Sequence, residues 1–169
     1  MDIKLITGYH ELTLGEFEMI RQIINAEGVP DKIKLLYIIN AVYDVDCLNI
    51  PLDDVKALAA SLQWLWASEY KANPLRPTYE VNGQTYELVN NFAAWTAEQR
   101  DDYERAIANP HDLARQLAVF LVPKGSEYDP ATLDERARIF NQHLTVDVAI
   151  DISMFIQTVA DLMQNTPVS

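Results

Sequence analysis

Cysteine, glycine and basic side chains are all scarce in this chain, and each scarcity excludes a class of protein. Cys47 is the only cysteine in 169 residues, so an intrachain disulfide and a cysteine-based zinc site are both excluded. With Asp46 and Leu48 beside it and no cation nearby, it reads as a small core hydrophobe in a protein of a reducing compartment. The 5 glycines form no phosphate-cradling loop and no G-x-S-x-G nucleophile elbow. Only 13 Lys and Arg face 25 Asp and Glu, a net charge of −12. That balance argues against binding a nucleic-acid backbone or an anionic membrane surface, since either needs a basic face. The first residues show neither a basic start nor an apolar core of a secretory signal, and no window approaches the ~18 apolar residues of a membrane span. A soluble protein made in the cytosol is expected.

What the chain does have is ordinary for a globular fold: 49% apolar and 22% charged residues. A chain of this length can bury roughly 70% of its unfolded surface, so one compact domain over 1–169 is expected, with two lobes at 1–77 and 78–169. The charge is divided as −4 in the first and −8 in the second. The boundary falls at Asn73-Pro74-Leu75-Arg76-Pro77, which cannot continue a helix.

Periodicity predicts a mainly α fold of about seven helices with a small β-hairpin. Thr13 and Glu16 make a capping box before a helix over 14–26 with Phe17, Ile20, Ile23 and Ile24 on one stripe. A second helix, 31–43, is apolar on nearly every face, so it is central to a core or covered by a partner. Asp44-Val45-Asp46 opens like a calcium loop, but Asn49 and Val55 stand where that loop needs Gly and Glu. Asn49 to Asp54 reads as a turn entering a third helix that runs to about Tyr70, with Trp64, Trp66 and Tyr70 gathering aromatic surface at its end. These three residues are the candidate partner anchors, because Trp and Tyr dominate interface hot spots; packing under a loop is the alternative.

In the second half, Asn82-Gly83 between alternating apolar and polar residues predicts a two-residue type I′ hairpin over 79–88. A hairpin alone is marginal in water, and residues 3–5 are the expected third strand. Thr96-Ala97-Glu98-Gln99 repeats the capping box before a helix to Ala108. Further helices follow over about 113–121, 132–143 and 146–163, the last apolar on most faces. The shared order of an extended segment, a capped helix and a more apolar helix gives the two halves a similar plan.

Chemistry-bearing residues are few. His10, His111 and His143 form no two-ligand helix pattern. Five serines, Ser61, Ser68, Ser126, Ser153 and Ser169, lack a motif that would activate one. The acid pairs Asp53/Asp54, Asp101/Asp102 and Asp134/Glu135 fall in the first turns of helices, where the dipole favours them on a solvated face. No catalytic residue, metal site or cofactor site is assigned, and the protein is read as a non-enzyme.

The succession of motifs resembles a group of small proteins from tailed bacteriophages. The resemblance rests on Ile3-Lys4-Leu5, then Glu11-Leu12-Thr13-Leu14-Gly15-Glu16-Phe17, the hairpin Tyr79 to Tyr86, Thr96-Ala97-Glu98-Gln99, and Ala118-Val119-Phe120-Leu121-Val122-Pro123. Arg100 and Asp101-Asp102 depart from the group's pattern of an apolar residue and a short acidic stretch. The resemblance implies a tail assembly chaperone that covers a helical virion protein, such as the tape measure protein, in the host cytoplasm. Two other readings stand beside it. One is a structural component of the virion at the head-tail junction or in the tail; the other is an acidic inhibitor or DNA mimic that binds a host protein. A homo-oligomer is compatible with all three.

Overall fold

The computed structural model describes residues 3–66 and 70–164, with side chains described as far as Thr158. Among them are seven α-helices and a three-stranded antiparallel sheet, so the protein is mainly α. The first half holds α1 (Leu14–Asn25), α2 (Asp31–Tyr43) and α3 (Leu52–Ser61). The second holds β1 (Thr78–Val81), β2 (Gln84–Leu88), α4 (Ala97–Ile107), α5 (Leu113–Phe120), β3 (Leu121–Pro123), α6 (Leu133–His143) and α7 (Val146–Gln164).

Local chemistry accounts for the starts. The Thr13 hydroxyl accepts from the Glu16 N–H while the Glu16 carboxylate accepts from the Thr13 N–H at 2.7 Å, a complete capping box. Thr96 caps α4 by accepting from the Gln99 N–H at 3.1 Å, but the box is only half made. The Gln99 side chain turns inward and donates to the Val119 carbonyl at 3.0 Å. The hairpin has the expected turn, with Asn82 and Gly83 both at positive φ and Val81 opposite Gln84.

Three expectations need correction. Residues 3–5 are not the third strand. That place is taken by β3, whose Leu121, Val122 and Pro123 stand opposite Leu88, Glu87 and Tyr86. The chain leaves α5 directly onto the open edge of β2, so the α5 helix stops at Phe120 instead of taking in Leu121. The N-terminal segment instead lies on the first-half core, where the Ile6 N–H donates to the Tyr43 hydroxyl and the Ile6 carbonyl accepts from Trp64 Nε1, both at 3.2 Å.

Second, α3 ends at Ser61, not Tyr70, and a short 3₁₀ turn over Gln63–Trp66 follows; residues 67–69 of the expected helix, Ser68 included, lie outside the described residues. The Ser61 hydroxyl donates back to the Leu58 carbonyl at 2.7 Å and accepts from Tyr43 at 2.6 Å, a competing set of bonds at the helix end. Third, Asp102 is not on a solvated face. It is buried, and accepts a 2.7 Å hydrogen bond from the Tyr128 hydroxyl.

The core forms two adjoining clusters. One gathers Leu12, Ile20, Ile38, Ile39, Leu58 and Leu62 from the first half; the other centres on Phe120, Leu117, Phe140 and the inward residues of the hairpin, Tyr79, Val81 and Tyr86. Helix α7 serves both, with Val146 and Ile150 in the first cluster and Ala149, Ile152 and Ile156 in the second. The halves are stitched where α1 and α7 begin. Thr13 and Thr145 form an antiparallel bridge, the Leu14 N–H donates to the Leu144 carbonyl at 2.9 Å, and the Val146 N–H donates to the Leu12 carbonyl at 3.0 Å. Gly15 allows this approach, since a Cβ there would stand 2.9 Å from the Asn141 carbonyl oxygen.

Candidate partner-binding groove

The first half leaves apolar surface uncovered. Of the eight large apolar residues that are exposed among the described residues, five lie between Ile33 and Trp66: Ile33, Tyr37, Leu48, Leu52 and Trp66. Helix α2 explains part of this. Its apolar residues run round the whole cylinder, so Ile38 and Ile39 enter the core while Ile33 and Tyr37 are left facing outward.

Between α2 and α3 lies an open groove of about 510 Å³. Asp31, Lys34, Leu35 and Ile38 of α2 line one wall at i, i+3, i+4 and i+7, a single helix face. Lys56, Ala59, Ala60 and Gln63 line the other with the same spacing, and Trp66 stands at the end of that wall. The short side chains of Ala59 and Ala60 leave the gap between the helices unfilled. Ile24, at the end of α1, closes the groove, and Lys34 Nζ donates to its carbonyl at 2.7 Å, satisfying one of the free carbonyls of that helix end.

The three aromatic candidates separate here. Trp64 is half-buried, with its ring edge-on to Tyr9 at 4.6 Å and its Nε1 bonded to the Ile6 carbonyl. Tyr70 is also held inside: its hydroxyl donates to the Asp151 carboxylate at 2.8 Å, and burial, with that carboxylate, raises its pKa well above the usual phenol range. Trp66 alone of the three is exposed, at 54% of its surface, and it is the one that borders the groove.

Among the described residues no three His, Cys, Asp or Glu side chains gather in a way that could hold a metal ion. His10, His111 and His143 are exposed and apart in the chain. Cys47 is buried, and burial, followed by the charge of Asp46, pushes its thiol pKa up. Among the described residues no helix is long and apolar enough to cross a membrane. No protein family, no curated protein and no solved structure detectably matches this chain.

One carboxylate sits under stress at the junction of the halves. Burial, and then the charge of Asp112, raises the Glu18 pKa above the usual carboxylate value, although the Leu113 N–H donates to it and Arg21 and His111 lie near. Its Oε1 is buried with no hydrogen-bond partner among the described residues. A raised pKa means the ionised form is less favourable folded than unfolded, so the cost is present at neutral pH and fades as pH falls through the folded value. Glu18→Gln, which keeps an acceptor for Leu113, is therefore expected to raise the unfolding midpoint at pH 7, and the gain should vanish below about pH 4, under the ordinary glutamate value. Thermal melts of both forms across that range check it.

Proposed function

We propose that this chain is a non-enzymatic binding protein that holds an amphipathic helix of a partner in the α2–α3 groove. In line with the resemblance, we read it as a tail assembly chaperone whose client is a helical virion component such as the tape measure protein. The observation that carries the binding reading is Trp66, a half-exposed indole at the mouth of an apolar groove walled by two parallel sets of i, i+3, i+4, i+7 side chains. A third helix fits such walls as a helix fits any groove of this kind, through anchors at the same spacing. A chaperone needs no more chemistry than this: cover the client's apolar stripe until its assembly partner replaces the cover.

The test is co-expression with a helix-rich fragment of the tail protein. One co-eluting complex on a sizing column is expected, together with absence of the protein from purified particles; separate elution at micromolar concentration overturns the reading. Trp66→Ala should weaken that complex by about thirtyfold or more, as loss of a hot spot of about 2 kcal/mol does. Because the indole is largely outside the core, the unfolding midpoint should stay within about 2–4 °C of the parent, a change of about 1 kcal/mol.

A further inference from the structure

The charge on the groove runs against that of the protein. Acids outnumber bases 25 to 13 in the chain, yet the charged residues lining the groove are Lys32, Lys34 and Lys56 against Asp31 alone. None of these ammonium groups is committed to a strong internal pair. Lys32 has no ion pair among the described residues. Lys34 spends one N–H on the Ile24 carbonyl and keeps two. Lys56 meets Asp53 at 3.0 Å, but both side chains are exposed, Asp53 by 92%, and such surface pairs exchange partners at little cost.

We propose that the occupant of the groove is an amphipathic helix flanked by acidic residues, whose apolar stripe rests on Leu35, Ala59, Ala60 and Trp66 and whose carboxylates meet Lys32, Lys34 and Lys56. This rests on the groove reading above and adds the chemistry of the client. The lysine stems extend the apolar surface while their heads stay in water, so a carboxylate one turn from an apolar anchor reaches them without being buried. The arrangement matches coiled-coil seams, in which charges beside the apolar positions set partner and orientation more than total affinity. It also explains how a protein of charge −12 attracts a partner to one face only. A second copy of this chain is a poor occupant, because two bodies of charge −12 repel as they approach.

The experiment uses the full chain and labelled synthetic helical peptides with identical leucine anchors at i, i+3, i+4 and i+7, flanked by Glu in one peptide and Lys in the other. Fluorescence anisotropy should give about tenfold tighter binding of the Glu peptide near 0.1 M salt, the sum of a few rim pairs. The preference should shrink toward parity near 1 M salt, where the screening length falls from about 10 Å to about 3 Å. Lys32→Glu with Lys56→Gln should erase or reverse it. Equal affinity of the two peptides at low salt, with both lost in Trp66→Ala, overturns the acidic client and leaves the groove standing. Failure of both peptides to bind in a Trp66-dependent way overturns the groove reading itself. Concentration-dependent self-association that Trp66→Ala abolishes assigns the groove to a second copy and overturns the proposal.

Discussion

Arg136→Met is expected to destabilise the protein by about 3 kcal/mol, a fall of roughly 6–12 °C in the unfolding midpoint for a chain of this size. The guanidinium is buried on α6 and makes no salt bridge among the described residues; its hydrogen-bond partners are two backbone carbonyls and the Thr132 hydroxyl. Nε and Nη2 donate to the Ala118 carbonyl at 3.3 and 3.2 Å, Nη1 donates to the Asp129 carbonyl at 3.1 Å and to the Thr132 hydroxyl, and the group lies 5.2 Å over the Tyr128 ring. Ala118 stands at the end of α5, where the chain turns from helix into β3. Three successive carbonyls there take donors from three separate parts of the chain: Ala118 from Arg136 of α6, Val119 from Gln99 of α4, and Phe120 from the Val89 N–H just past β2 at 2.8 Å. Methionine fills much of the volume and supplies no donor, so buried carbonyls lose their partners. Arg136→Lys should recover only part of the loss, since one ammonium cannot copy the fork. Thermal melts of the two variants check this; equal stability of Arg136→Met and the parent would show the carbonyls are satisfied without it.

Phe120→Ala is expected to cost about 4 kcal/mol, in the range measured for fully buried aromatics cut to alanine. Phe120 has no exposed surface, and its ring packs edge-on against Trp95 at 5.0 Å, Tyr103 at 5.4 Å and Phe92 at 5.8 Å. It is also the last residue of α5, so the same position fixes both the aromatic cluster and the helix-to-strand turn. Denaturant unfolding followed by circular dichroism reads the loss, and a change under about 1 kcal/mol would mean the cluster closes over the gap.

The two sites show what can be read from the sequence and what cannot. Helices whose first turns carry their own signals, such as the Thr13–Glu16 box and the Thr96 cap, are legible within a residue or two, and so is the Asn82-Gly83 hairpin. Their information is local. Strand β3 is hidden because Leu121 and Val122 continue the apolar run of α5, and three residues are too few to show a period. The end of α3 is hidden because Leu62, Leu65 and Trp66 keep up a helical rhythm, while the bonds at the helix end come from Tyr43, on another helix. Asp102 and Arg136 look like solvated charges in a row of charges; their burial depends on Tyr128 and on the end of α5.

The groove has the same character. Trp66 stands out in the sequence beside Trp64 and Tyr70, and only packing shows that the latter two face inward. The lysine rim is invisible along the chain, since Lys56 is separated from Lys32 and Lys34 by Asp44, Asp46, Asp53 and Asp54 and is brought to them by the pairing of α2 with α3. A net charge of −12 therefore conceals a local surface of the opposite sign.

The indole N–H resonances of the full chain test the central claim most directly. Trp64 and Trp95 donate to the Ile6 and Val89 carbonyls, whereas Trp66 Nε1 has no acceptor among the described residues, so the three signals report different places. On addition of an acid-flanked amphipathic helix, the Trp66 indole signal should move, with the amides of Leu35, Ile38 and Ala59, while Trp95 stays unchanged. Binding that shifts Trp95 or residues around Met154 and leaves Trp66 in place would contradict the account and put the working surface in the second half.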